Sequence, residues 1–265
     1  MSRPILAIKG VSKRFGGVQA LSGVDLVGLE GQVHGVIGPN GAGKSTLIGC
    51  ITGVNRIDEG EIRFRDRRID GLSVQRRARL GVARTFQKIR LAQELTVFEN
   101  VAVGLASRRF NGVRGFLSAL RPLDSADIRA PIEEALQAAG VADIATEKVG
   151  SLPYGRRHFV ELARVLVGRP EMLLLDEPAT GLTEAERERL MSLVRRVVSE
   201  GALVVLVEHD LNLVGRLCDR VTVIDYGRRI FNGTPAEAQQ DDAVVKAYLG
   251  TSKLAQAEAP RVATA

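Results

Sequence analysis

Apolar residues fall along the chain in short runs that alternate with longer amphipathic stretches. Val33–Gly38 (VHGVIG) is an apolar run closed by glycine, the pattern of a strand buried on both faces. MLLLDE from Met172, ALVVLVE from Ala202 and VTVID from Val221 read the same way. Ile5–Val11 and the region about Val24–Leu29 are further short strands. EIRFR (Glu61–Arg65) alternates apolar and charged positions, as an edge or half-exposed strand does. Helical spacing covers Gly43–Thr52, Val97–Ser107, Asp124–Ala139, Gly155–Val167, a charged stretch from Glu184 and a short segment before Val221. Arg108–Pro122, punctuated by Gly, Asn and Pro, reads as a loop or broken helix. Ser252–Ala265 is small and polar and reads as a disordered tail.

Strand signals give way to helical ones between about Gln87 and Gly168, and the alternation of strand and helix resumes after Pro170. The expected organisation is one unit over 1–250, with its core in 1–86 and 169–250, a helical insert in 87–168 and a tail in 251–265. Apolar strands alternating with helices imply an α/β fold with a largely parallel central sheet. No internal repeat is visible.

Composition narrows the function. The 265 residues are 45% hydrophobic and 26% charged, a soluble globular balance that argues against a disordered chain. Aromatics make only 4% and Trp is absent, which argues against a stacking platform for single-stranded nucleic acid. The net charge of +6 is a mild excess that fits an anionic ligand or an anionic membrane face, and equally an ordinary solvated surface. Two distant cysteines, Cys50 and Cys218, exclude a disulfide scaffold and a zinc cluster of the usual spacing. No stretch reaches the roughly 18 apolar residues that span a bilayer, and MSRPILAIKG lacks a secretory apolar region. A cytoplasmic chain is expected, with any membrane role supplied by a partner.

Gly38-Pro39-Asn40-Gly41-Ala42-Gly43-Lys44-Ser45 fits G-x-x-x-x-G-K-[ST], between a strand and a helix as that motif requires. A chance match in a chain of this length has a probability on the order of 1%. Glycines let successive backbone N–H groups turn onto phosphate oxygens, and the helix N-terminus adds partial positive charge. Lys44 is expected at the β- and γ-phosphates and the Ser45 hydroxyl on Mg²⁺. Asp176 and Glu177 close the apolar run from Met172. Adjacent acids at a buried strand end are costly unless a cation compensates. Asp176 suits Mg²⁺ bound to a nucleotide, and Glu177 suits a general base that polarises the attacking water.

Five motifs in order then resemble the ABC-type ATPase family: the phosphate loop, Gln87 in ARTFQ, LPYGR (Leu152–Arg156), LLLDEP and His209 in VEHD. The resemblance spans about 5–250. It implies a P-loop NTPase (RecA-like) core with a mostly parallel sheet, an antiparallel β subdomain and an inserted α-helical subdomain. It implies ATP and Mg²⁺ as ligands. ATP contacts carry over to Phe15, at the place of an adenine-stacking aromatic, and to Gly38, Pro39, Asn40, Gly41, Ala42, Gly43, Lys44, Ser45 and Thr46. The resemblance makes Gln87 a metal ligand beside Ser45 and Asp176, and a sensor of the attacking water. His209 stands at the switch histidine of the γ-phosphate, completing a catalytic set with Glu177 and Gln87. Pro153, Tyr154, Gly155 and Arg156 stand at the LSGGQ signature, which contacts nucleotide on the opposite subunit. Pro153 replaces the signature serine, and Thr183 replaces the usual aspartate of the loop after Pro178.

These departures, with VARTFQ, LTVFENV and a closing KAYLG, are similar to the ATPase subunit of branched-chain amino-acid importers of the hydrophobic class. Related subunits serve urea and short-chain amides. The implied partners are two transmembrane permease subunits, an identical or paralogous second cassette and, indirectly, a periplasmic binding protein. The implied place is peripheral, on the cytoplasmic face of the inner (plasma) membrane.

Three rivals remain. Arg63, Arg65, Arg67, Arg68, Arg76, Arg77, Arg79 and Arg84 could suggest a soluble ABC ATPase working on nucleic acid or ribosomes, but arginines alternating with apolar residues are usually a solvated strand face, and no nucleic-acid partner is expected. A different phosphate-loop enzyme, a GTPase or small-molecule kinase, leaves Phe15 and LPYGR without a place, and a GTPase would also need an N-K-x-D motif, which is absent. A lipid or drug exporter shares the catalytic residues and is separated only by the subfamily resemblance. Cys50 reads as a buried filler and EAERER (Glu184–Arg189) as a solvated helix face with i,i+4 pairs.

Overall fold

The computed structural model describes residues 3–85, 89–109 and 125–248, with side chains of the second stretch to residue 105. Strands β1 (Pro4–Phe15), β2 (Val18–Leu29), β4 (Glu59–Phe64) and β5 (Arg67–Arg68) form an antiparallel sheet in the order β2-β1-β4-β5. The second sheet runs β10-β9-β3-β8-β7-β6, built from β3 (Val33–Ile37), β6 (Val82–Arg84), β7 (Met172–Asp176), β8 (Leu203–Val207), β9 (Arg220–Asp225) and β10 (Arg228–Gly233). All its pairings are parallel except β9 with β10.

The apolar runs explain the layering. Along β8, Leu203, Val205 and Val207 face one core while Val204 and Leu206 face another, and Met172 and Leu174 of β7 divide the same way from Leu173 and Leu175. The first core lies against the antiparallel sheet and α1 (Lys44–Thr52). The second takes in α3 (Val97–Arg109), α4 (Ala126–Ala139), α5 (Tyr154–Leu166), α6 (Glu184–Ser199) and α7 (Leu211–Leu217). Burial on both faces is why these strands carry no polar alternation. In β4 the alternation is present, and the strand is half-exposed with β5 outside it.

The sequence pattern misses α2 (Val74–Arg79) and the three-residue β6. VQRRAR has no apolar stripe. It is held instead by Arg77, whose guanidinium is buried and donates to the carbonyls of Cys50, Ile51, Leu72 and Asp70. Two members of the arginine tract are therefore not a solvated face: Arg77 is internal, and Arg84 reaches the acidic strand end described below. EAERER is a largely exposed helix face as expected, but the contacts of its side chains reach outside the stretch rather than along it. Glu186 closes a capping box with Thr183, Arg187 pairs with Asp210, and Arg189 donates to Ala139 and Gly140 carbonyls while stacking 4.4 Å from the Phe159 ring. Cys50 is buried as expected, and its burial pushes the thiol up to about 11.

Two histidines are enclosed. His34, inside β3, meets Thr222 Oγ1 through Nε2 at 2.8 Å, and His158, in α5, packs beside Tyr154 and Phe159. Burial, the larger cause for each, lowers both to about 4. Each depressed value means that the unfolded chain binds the proton first. The stability from keeping each ring neutral is full above about pH 6.5 and is lost as pH falls toward 4, about 2 kcal/mol per histidine at pH 5. Urea titrations at pH 7 and pH 5 test this: the difference should shrink by about 2 kcal/mol in His34→Gln. An unchanged difference would contradict it.

Candidate active site

Strands β3, β7 and β8 end at one edge of the parallel sheet, where open α/β sheets bind ligands. Asp176 is in register with Val207, and Val207 in turn with Val36. The phosphate loop, the acidic pair and the His209 turn therefore converge although they are far apart in sequence.

The loop 38–43 turns from β3 into α1 through two glycines that no other residue could replace. Gly38 has φ 146° and Gly43 φ 108°, and a Cβ on them would lie 2.0 Å from the Ile224 carbonyl oxygen and 2.6 Å from that of Ala20. Pro39 and Ala42 are buried, Asn40, Gly41 and Ser45 are exposed, and Thr46 is half-buried in the first turn of α1. The Lys44 ammonium folds across the loop and donates to the carbonyls of Gly38 (2.7 Å) and Pro39 (2.8 Å). Burial lowers its pKa, against the opposing pull of Glu177 and Asp176, so lysine and acids share one electrostatic site.

Asp176 is buried and accepts from Arg84 Nη2 at 2.8 Å. This arginine, on the neighbouring β6, is the counter-cation that the buried acid requires. Glu177 follows at φ 49°, a left-handed conformation disfavoured for a side-chain-bearing residue, held by donation of its N–H to the Val207 carbonyl. Its carboxylate lies 3.9 Å from His209 Nδ1. The His209 side chain is 59% exposed, open to a ligand. Phe15 stands at the β1–β2 turn, 47% exposed, with the Lys13 ammonium 5.3 Å from its ring. Gln87 lies outside the described residues.

The LPYGR segment opens α5, with Pro153 at its N-cap. Tyr154 is exposed and its hydroxyl donates to the Thr180 carbonyl at 3.4 Å. Gly155 admits the Glu186 carboxylate where a Cβ would sit, 1.7 Å away, so helix α5 is seated on the capping box of α6. The Arg156 guanidinium is committed to Asp143 in a two-pronged pair at 3.0 and 2.9 Å. Thr183, in place of the usual aspartate, caps α6: Glu186 accepts from its N–H and its hydroxyl, both at 2.9 Å.

Sequence reasoning missed Arg84 and Glu208. Arg84 was hidden in a basic tract. Glu208 carries a signal in the sequence, an acid directly after the buried run of β8, beside the more conspicuous His209. Burial pushes the Glu208 carboxyl up, against backbone donors from Ala179, His209 and Asp210.

The model of a family described as "ABC transporter" matches residues 21–180, and one described as "Branched-chain amino acid ATP-binding cassette transporter" matches 228–253. The high-affinity branched-chain amino acid transport ATP-binding protein BraF of Pseudomonas aeruginosa is 41% identical over 94% of this chain and 99% of its own length. The corresponding LivG of Salmonella typhimurium is 39% identical over 94% and 99%. The ADP conformation of MJ1267, an ATP-binding cassette of an ABC transporter, superposes with a TM-score of 0.84 at 28% identity, covering 94% and 100% of the two chains. A nucleotide-free ATP-binding cassette from an ABC transporter gives 0.82 at 28%, covering 93% and 99%. With the fold, the phosphate loop and the acidic strand end in place, the chain belongs to the ABC transporter family, as one of its ATP-binding proteins.

Proposed function

We propose that the chain hydrolyses ATP to power an importer of branched-chain or related hydrophobic amino acids, docked on the cytoplasmic face of the inner membrane against two permease subunits. The observation that carries the substrate class is the match over 228–253, a region outside the general cassette match. Among the described residues no helix is long and apolar enough to cross a membrane, so this reading places the translocation path in other chains.

The phosphate-loop N–H groups and Lys44 bind the β- and γ-phosphates, and Lys44 exchanges its two loop carbonyls for phosphate oxygens. Phe15 stacks on adenine. Mg²⁺ fits the donor set: an exposed Ser45 hydroxyl and the buried Asp176 carboxylate are hard oxygen ligands, with Gln87 as a third. Bound there, it would neutralise phosphate charge. Glu177 takes the proton of the attacking water, and His209 holds the γ-phosphate. The N-terminus of α5, from Pro153 to Arg156, serves the nucleotide of a second cassette, identical or paralogous. Arg156 contributes there through its backbone, since its side chain is held by Asp143. ATP favours the closed pair by binding it better, and loss of the γ-phosphate reopens it. The helical insert carries this motion to the permease, which a periplasmic binding protein loads.

Lys44→Ala should weaken nucleotide affinity at least tenfold, because the buried cation on the phosphates is lost. Equilibrium binding measures it, and unchanged affinity would remove Lys44 from the site. Uptake tests the whole reading. Cells lacking this chain should lose leucine, isoleucine or valine uptake and regain it with the wild type but not with Lys44→Ala. Rescue of urea or amide uptake alone would reassign the substrate.

A further inference from the structure

We infer that Glu208 is a positioning residue that ties the loop 178–183 to the His209 turn, so that contacts across the cassette pair and contacts to the γ-phosphate respond together. The inference rests on the assignment of His209 to the γ-phosphate made above. Glu208 directly follows β8, with a side chain only 1% exposed. One carboxylate oxygen, Oε1, accepts the Ala179 N–H at 3.0 Å. The other, Oε2, accepts the His209 N–H at 3.1 Å and lies 3.8 Å from His209 Nδ1. Each oxygen thus holds a different loop. The first loop carries Thr180, whose carbonyl meets Tyr154 of the signature segment, and Thr183, whose capping partner Glu186 seats Gly155. The second loop carries the histidine that faces Glu177.

Filling this position requires no charge. A buried carboxylate is costly, and an apolar side chain there would leave the Ala179 and His209 N–H groups without acceptors. What the carboxylate alone supplies is two acceptors on one rigid plane, each strengthened by charge and aimed at a backbone donor of a separate segment. A displacement of the loop 178–183 on pairing of two cassettes is therefore passed to the His209 backbone through one side chain.

A double-mutant cycle on the full chain tests this: Glu208→Gln, His209→Ala and both together, with MgATP turnover, ATP affinity and melting temperature measured for each. The amide keeps one acceptor and turns an NH₂ group toward the other donor. Glu208→Gln should lower kcat at least tenfold while ATP affinity stays within twofold; the buried donor left without an acceptor should lower the melting temperature by only a few degrees, with the chain still folded at the assay temperature. The double variant should be no slower than His209→Ala. Losses that multiply, an unchanged kcat in Glu208→Gln beside an inactive His209→Ala, or a kcat loss matched by lost ATP binding and stability would each overturn the inference alone. Wild-type turnover in His209→Ala would overturn the reading of His209, and the inference with it. Should Glu208→Gln not fold, hydrogen exchange on the wild type replaces it: the Ala179 and His209 amides should gain protection together on adding magnesium and a non-hydrolysable ATP analogue. Independent protection would contradict the link.

Discussion

Glu177→Gln should bind ATP as the wild type does and turn it over about 10²- to 10⁴-fold more slowly, the range a positioned general base contributes. The amide matches the carboxylate in size, so the left-handed backbone at φ 49° and the N–H bond to Val207 are undisturbed. What disappears is the group that can take a proton from water beside His209, 3.9 Å away. The phosphate loop, to which the proposed function assigns the affinity, keeps its glycines and its lysine. One charge effect accompanies the change: Lys44 loses one of the two acids that offset its burial, while Asp176 remains. Affinity should therefore move far less than kcat. Single-turnover kinetics with a parallel binding titration separate the two. Turnover within twofold of the wild type would remove Glu177 from the base role.

Arg77→Met should destabilise the chain by about 4 kcal/mol, as removal of a buried, fully hydrogen-bonded charge does. Arg77 is 2% exposed and its donors satisfy four carbonyls at 2.5–3.1 Å. Two of them, Cys50 and Ile51, are in the last turn of the helix that begins at Lys44, where carbonyls have no partner within the helix. Methionine fills the volume and leaves the four acceptors without their donor, those of Cys50 and Ile51 in a buried site and those of Leu72 and Asp70 in a partly exposed one. At 2–4 °C per kcal/mol for a chain of this size, the melting temperature should fall by about 10 °C. Arg77→Lys should recover only part, because an ammonium cannot reproduce the planar fork. A Met variant within about 2 °C of the wild type would show that these bonds contribute little net stability.

The core strands were legible because burial on both faces removes polar alternation: VHGVIG, MLLLDE and ALVVLVE could be little else once their ends carried glycine or acids. The phosphate loop was legible for a related reason, since its backbone path admits only a few residue types. Arg77, Arg84, Glu186 and Glu208 were not. Nothing in VQRRAR distinguishes the buried arginine from its exposed neighbours, because the distinction is made by carbonyls more than twenty residues away. EAERER has the composition of a solvated face, yet three of its side chains are committed to the cap, to Asp210 and to the end of α4. Short-range pattern carries the apolar skeleton. Ionic pairs between strand ends and loops depend on strand order, which periodicity does not encode.

The proposed conversion of ATP binding and hydrolysis into import of a branched-chain amino acid can be followed as ATP turnover by the full chain assembled in lipid with its permease and second cassette, read with and without loaded binding protein. Turnover should rise severalfold when that protein carries leucine, isoleucine or valine, and not when it is empty. The rise should vanish in Glu177→Gln. Turnover that ignores all three amino acids but responds to urea or an amide, or to no imported solute, would contradict the claim.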